Sequence, residues 1–414
     1  MLLCLILAMV ASVVGGSSTP QIERVLIIHR HGDRTPITPL VDEDFWRSTL
    51  PNEEMLRSIG RNVKINQNSD YSQYLDTSEP RSDAPRESKH LAKGGPIYGQ
   101  LTQLGLLQMI ELGARLKEDL RAAFGEDVAP SDVKLYSTDF PRTLQSLQGT
   151  LLGLFDGEDS EFDIDASYTQ IMIPDPQPRN YPKQVVLEKK LASAETFLSQ
   201  EKSMAELAKT ASEALRSSGL LAPGADKVSF GVGEEKDQSA AAGQPRTLPW
   251  GQLAELTKCL LVRSLLPASI TPSDQKRIMN HTAQRWFSLL RSPALSKLAF
   301  GPFVRLLAEE AAGPAKVTIF SAHDSTLIGA ITALRLANPS QWPEYASHLK
   351  VEVFKPEGGG TRLARFSLNG EVLRHLELEG ELIPLDDVVR LALDGGGEGG
   401  EGGEPSRGGE IKDL

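Results

Sequence analysis

Three stretches of the chain repeat one plan: a short apolar run, a polar turn, then apolar residues at helical spacing. The first run is Val25 to Ile28, and Gly32 and Pro36 punctuate the turn after it. The second is Val133 to Ser137, followed by Thr138 or Asp139 as a helix cap, Pro141 in the first turn, and Leu144, Leu147, Leu151 and Leu154 along one face. The third is Val317 to Phe320, followed by Leu327, Ile328, Ile331 and Leu334. Runs of β-branched and aliphatic residues without alternation belong to strands covered on both faces. Alternation of such strands with helices predicts an α/β fold, a mostly parallel central sheet flanked by helices. In open sheets of this kind ligands bind at the carboxyl ends of the strands.

Other segments fill in this frame. "LTQLGLLQMIELGARLKEDL" predicts a long helix with Leu106, Met109, Leu112, Leu116 and Leu120 on one face and Gly125 at its stop. "LKVEVFKPEGGGTRLARFSLNGEVL" reads as two strands and an Asn369-Gly370 hairpin that extend one sheet edge. Residues 161–310 hold helical patterns and no convincing strand unit, so a mainly helical cap lobe is expected there, inserted into a core of 21–160 plus 311–392. Polar Gly-, Pro- and Ser-rich stretches at 46–96 and 224–248 predict long loops, and 393–414 a flexible Gly/Glu-rich tail.

Met1 to Val14 is apolar apart from Ser12 and runs into small residues, the pattern of a secretory signal peptide over 1–16, which predicts the secretory pathway and an extracellular, lysosomal or vacuolar destination. No other segment is long enough to cross a membrane. Of the two cysteines, Cys4 lies in that leader, so Cys259 is expected to be unpaired. Asn280-His281-Thr282 fits an N-glycosylation acceptor. A net charge of −11 argues against nucleic acid as a partner and requires a local positive site for any anionic ligand.

Each strand–turn–helix unit delivers unusual polar residues at the same edge: Arg30, His31 and Arg34, then Arg142, then His323 and Asp324. Guanidinium forks grip phosphate oxygens bidentately and stay charged at any working pH. A neutral imidazole at His31 can attack phosphorus in line while a protonated Asp324 donates to the departing oxygen. That proton must be held above the reference pKa of ~3.9 by burial or by bound phosphate, which predicts an acidic optimum. No Walker loop, HExxH helix or paired cysteine ligands occur, so neither cofactor nor metal is expected. Asp33 reads as a structural partner of an arginine, Tyr98 as a candidate for lining the cleft, the four tryptophans as packing, and His29, His90, His281, His348 and His375 as ordinary surface or core residues.

"RHGDRTP", "LTQLG", "STDFPRTLQS" and "SAHDSTL", in this order, resemble the histidine acid phosphatase branch of the histidine phosphatase superfamily, and within it the prostatic and lysophosphatidic acid phosphatases. "WPEYAS" at 342–347 is similar as well. The resemblance implies His31 as the phosphorylated nucleophile, Arg30, Arg34, Arg142 and His323 as phosphate ligands and Asp324 as proton donor. It implies a small phosphomonoester or lysophospholipid substrate. Two positions depart from the family: His29 stands where an aromatic or apolar residue is usual, and Ile383 where secreted members carry a cysteine. The readings to be separated are a phosphomonoesterase for lysophosphatidic acid or a broad range of monoesters, an inositol-phosphate phosphatase, an inactive phosphate- or phospholipid-binding protein of the same fold, and a phosphoryl transferase between metabolites.

Overall fold

The computed structural model describes residues 21–60, 63–75, 97–157, 160–174, 181–225, 247–337, 340–355 and 360–395. The leader, His90, most of 224–248 and all but the start of the 393–414 tail lie outside these residues. Among the described residues nine strands occur: β1 Ile22–Arg30, β2 Val63–Asn66, β3 Val133–Ser137, β4 Phe162–Asp165, β5 Val317–Ala322, β6 His348–Phe354, β7 Leu363–Leu368, β8 Glu371–Leu373 and β9 Ile383–Pro384. Twelve helices are described: α1 Glu43–Ser48, α2 Glu53–Gly60, α3 Gln103–Phe124, α4 Pro141–Leu154, α5 Thr169–Met172, α6 Pro182–Ala192, α7 Glu195–Ser217, α8 Trp250–Val262, α9 Pro272–Leu290, α10 Pro293–Ala312, α11 Asp324–Ala333 and α12 Leu385–Leu393.

One sheet runs in the order β2-β4-β3-β5-β1-β6-β7-β8, with β9 beside β7. From β2 to β1 every pairing is parallel; β6 to β9 add an antiparallel edge, with Asn369 and Gly370 at positive φ in the expected hairpin turn. Alternate residues of the central strands feed opposite faces, as a two-sided sheet requires. Leu26, Ile28, Tyr136 and Phe320 pack with Phe300 and Phe303 of α10 and Leu327 and Ile331 of α11. Val25, Ile27, Leu135 and Ile319 pack with Met109, Leu112 and Leu116 of α3 and Leu147 and Leu151 of α4. The apolar runs are continuous because both faces are dry.

Three expectations change. The supposed loop over 46–96 contains the second half of α1, all of α2, the strand β2 and a turn of 3-10 helix at Ser72–Tyr74. β4 lies inside the stretch read as free of strands and joins the sheet, and α10 from the same stretch covers a sheet face. α4 is capped by neither Thr138 nor Asp139: its N-cap is Phe140, with no side-chain bond, and Pro141 opens the first turn. The other helices between β4 and β5 include α7 to α9, whose apolar faces form a separate cluster with Leu40, Trp46 and Tyr98.

Register places the site. His29 is level with Ser321, and Ser321 with Ser137, so the central strands β1, β5 and β3 end side by side. The backbone continues this row past the strands: His31 N–H donates to the Ala322 carbonyl at 3.0 Å and Thr138 N–H to the Ser321 carbonyl at 3.0 Å.

Candidate active site

His31 follows directly on β1 and is 2 % exposed. Its Nδ1 lies 2.7 Å from the Gly32 carbonyl. A carbonyl only accepts, so Nδ1 carries the hydrogen and Nε2 the lone pair. Burial pushes the imidazole well below its ordinary pKa, and the charge of Arg142, then those of Arg30, His323 and Arg34, push the same way. His31 is therefore held neutral by its surroundings, in the tautomer that leaves Nε2 free to attack.

The turn that carries it is set against the start of α3. A Cβ on Gly32 would sit 2.2 Å from the Gly105 carbonyl oxygen, and one on Gly105 would sit 2.1 Å from that of Asp33, so only glycines permit this approach. Thr102 caps α3 and donates to Asp33 Oδ2 at 2.6 Å, and Arg263 pairs with the same oxygen at 2.7 Å. Asp33 is structural, as expected, but its arginine comes from the end of α8 rather than from its own turn.

His323 is the N-cap of α11 and Asp324 its first residue. The ring of His323 stands edge-on to His31, centroids 5.5 Å apart. Its Nδ1 is 3.4 Å from Arg142 Nη2 and its Nε2 3.0 Å from Thr138 Oγ1. Because a guanidinium only donates, Nδ1 accepts and Nε2–H donates to Thr138, whose hydroxyl passes on to Thr143 at 2.9 Å. This chain fixes the ring without using a carboxylate.

The three guanidinium groups differ in what opposes them. Arg30 Nη2 pairs with Asp324 Oδ2 at 2.7 Å, Nη1 donates to the Pro343 carbonyl, and its plane lies 4.3 Å from the Tyr345 ring centre. Arg34 Nη1 pairs with Glu255 Oε1 at 3.0 Å. Burial works against the charge of Arg34, and its acidic surroundings more than restore it, lifting its pKa above the ordinary value. Arg142 has no carboxylate partner: Nη1 reaches the Gly99 carbonyl at 3.4 Å, the plane rests over Phe140, and Nε–H is buried without an acceptor. Burial and the repulsion of Arg34 push its pKa down to about 9.

Asp324 receives three donors: Arg30 and, at 3.2 Å, the indole Nε1 of Trp342 on Oδ2, and the Ser325 N–H at 2.8 Å on Oδ1. Its side chain is 20 % exposed. The six residues picked out from the sequence thus meet at one sheet edge. Four more belong with them: Thr138, Glu255, Trp342 and Tyr345. Trp342 is a donor rather than packing alone. Tyr98 is 1 % exposed and gives its hydroxyl to the Leu40 carbonyl, so it packs the core and does not line the cleft. Among the described residues no helix is long and apolar enough to span a membrane, and no cluster of three metal-ligating side chains occurs.

Residues 21–222 match the family described as histidine phosphatase superfamily (branch 2). The matched segment belongs to that superfamily. Lysophosphatidic acid phosphatase type 6 of Bos taurus is 24% identical over 364 residues, covering 81% of this chain and 74% of that protein. Prostatic acid phosphatase of Bos taurus is 28% identical over 156 residues, 38% of this chain and 29% of the other. The phytase of Citrobacter braakii superposes with a TM-score of 0.59 at 16% identity, over 91% of this chain and 98% of that one. The fold is thus shared with a protein of widely different sequence.

Proposed function

We propose that the chain is a histidine acid phosphatase that hydrolyses phosphate monoesters through a phosphohistidine at His31. The observation that carries this reading is the charge of Arg142. A buried guanidinium with no carboxylate and an orphaned Nε–H is an incomplete site. A phosphate dianion beside it supplies the missing acceptors and the missing charge.

In the bound state Arg30, Arg34 and Arg142 grip the phosphoryl oxygens, His323 joins them in its other tautomer, with Nδ1–H donating to phosphate and Nε2 accepting from the Thr138 hydroxyl, and His31 Nε2 attacks phosphorus. The P–O ester bond breaks as the N–P bond forms, and Asp324 passes its proton to the leaving oxygen, releasing an alcohol. The dianion draws Arg30 away from Oδ2, which frees that oxygen for the proton it transfers. Water then attacks phosphorus and gives its proton to Asp324 as the N–P bond breaks, releasing phosphate and restoring neutral His31. Guanidinium charge stabilises both transition states, so the scheme needs no metal ion.

Hydrolysis of p-nitrophenyl phosphate at pH 5 tests this, with His31→Ala as control and acid-labile, base-stable phosphate label on His31 as the intermediate. Wild-type protein no faster than His31→Ala rules the enzyme out and leaves a phosphate-binding protein. Phosphate appearing on an added alcohol in place of water marks a transferase. Lysophosphatidic acid is the first natural ester to try, because a relative covering most of this chain is named for it. We assign the protein to the secretory pathway on the Met1–Val14 segment, and Asn280, on the exposed side of α9, as its glycan acceptor.

A further inference from the structure

We infer that Trp342 is a positioning residue for the proton donor: its indole N–H keeps the Asp324 carboxyl aimed at the leaving oxygen once substrate has taken Arg30. The inference rests on the phosphatase reading and goes beyond it.

In the free site Asp324 Oδ2 is shared by Arg30 Nη2 and Trp342 Nε1, while Oδ1 is held by the Ser325 backbone. Arg30 is also a phosphate ligand, so the bond that fixes Oδ2 most firmly weakens on substrate binding. The Ser325 bond alone leaves the carboxyl free to turn about one tether. With Trp342 in place, each oxygen keeps one donor and the carboxyl plane stays set. The indole is itself braced. Trp286 of α9 meets it edge-on with centroids 6.3 Å apart, and the following residues, Pro343 and Tyr345, hold Arg30 by a carbonyl and a ring face. A single four-residue segment therefore orients the acid and the guanidinium that opposes it.

A general acid matters in proportion to how poor the leaving group is. An alkoxide needs its proton as the P–O bond breaks, whereas p-nitrophenolate leaves nearly unaided. Trp342→Phe keeps a ring and removes the N–H. Its kcat/KM is expected to fall about thirtyfold on an alkyl monoester such as glycerol 2-phosphate and only about threefold on p-nitrophenyl phosphate, a part of the roughly 100- to 10,000-fold that the positioned acid itself contributes. Trp342→His, which restores a ring N–H, recovers part of the alkyl loss.

The readout is the ratio of the two kcat/KM values from one preparation, so partial unfolding of a variant cancels. An equal fall on both esters, or no fall on either, overturns the inference while leaving the enzyme standing. A wild-type protein inactive on both esters overturns the phosphatase reading and this inference with it.

Discussion

At His31 two demands meet. The imidazole has to stay neutral to attack phosphorus, yet acid conditions favour the protonated leaving group. The structure meets both by burial and by the guanidinium field, of which Arg142 is the largest charged part. Replacing Arg142 by Gln removes a ligand and a field source together. With the cation gone, His31 takes up a proton at higher pH than in the wild type. The acid limb of kcat/KM against pH is therefore expected to move to higher pH in Arg142→Gln, and kcat/KM at the optimum to fall roughly 10–100-fold for the loss of a charge-assisted contact. An acid limb that stays in place would show that burial alone keeps His31 neutral.

Helices deliver the groups that the strand ends cannot. α3 meets the catalytic turn at Gly105, where a methyl group would lie 2.1 Å from the Asp33 carbonyl oxygen. Gly105→Ala is expected to cost about 1–3 kcal/mol, as overpacking does, and to lower activity more than stability because the displaced turn carries His31. Thermal unfolding and kcat on one preparation separate the two effects. α8 brings Glu255, which accepts from Arg34 Nη1, the Ile37 N–H and the Thr38 hydroxyl. Removing one member of a buried pair costs about 3–5 kcal/mol. Glu255→Ala should melt earlier, and inorganic phosphate should raise its melting temperature more than that of the wild type, since the anion then answers the stranded Arg34. The same elements explain what the sequence made readable. Arg30, His31, Arg34, Arg142, His323 and Asp324 stand out because each follows a strand or opens a helix, a relation written in local pattern. Glu255, Trp342 and Tyr345 reach the site only through tertiary packing, and a buried glutamate in an amphipathic helix has no local mark. β2 and β4, "VKIN" and "FDID", are four residues each and half polar, as strands near a sheet edge are, so no periodicity could separate them from loops.

For the whole molecule, the sheet sets a lower pH limit that the chemistry does not. His29 and His348 face each other in register across β1 and β6, two residues before the nucleophile on one strand. Burial pushes both down to about 4, and each has a ring nitrogen without a partner, His29 Nε2 and His348 Nδ1. In the unfolded chain both return to about 6.5. Above that value neither state binds the proton and no penalty arises. Between 6.5 and 4 the unfolded chain binds protons that the folded one refuses, so folding stability falls as pH falls, by about 3 kcal/mol for each site across the window. His31, depressed in the same direction, adds to the slope. A site suited to acid thus sits on a sheet that acid weakens, and loss of fold is expected to add to the acid limb that His31 sets. Melting temperatures from pH 4 to 8 should drop toward pH 4 in the wild type and drop less steeply in His29→Phe, whatever that variant's level at pH 8. A variant slope as steep as the wild type's would mean that the buried pair does not govern the limit.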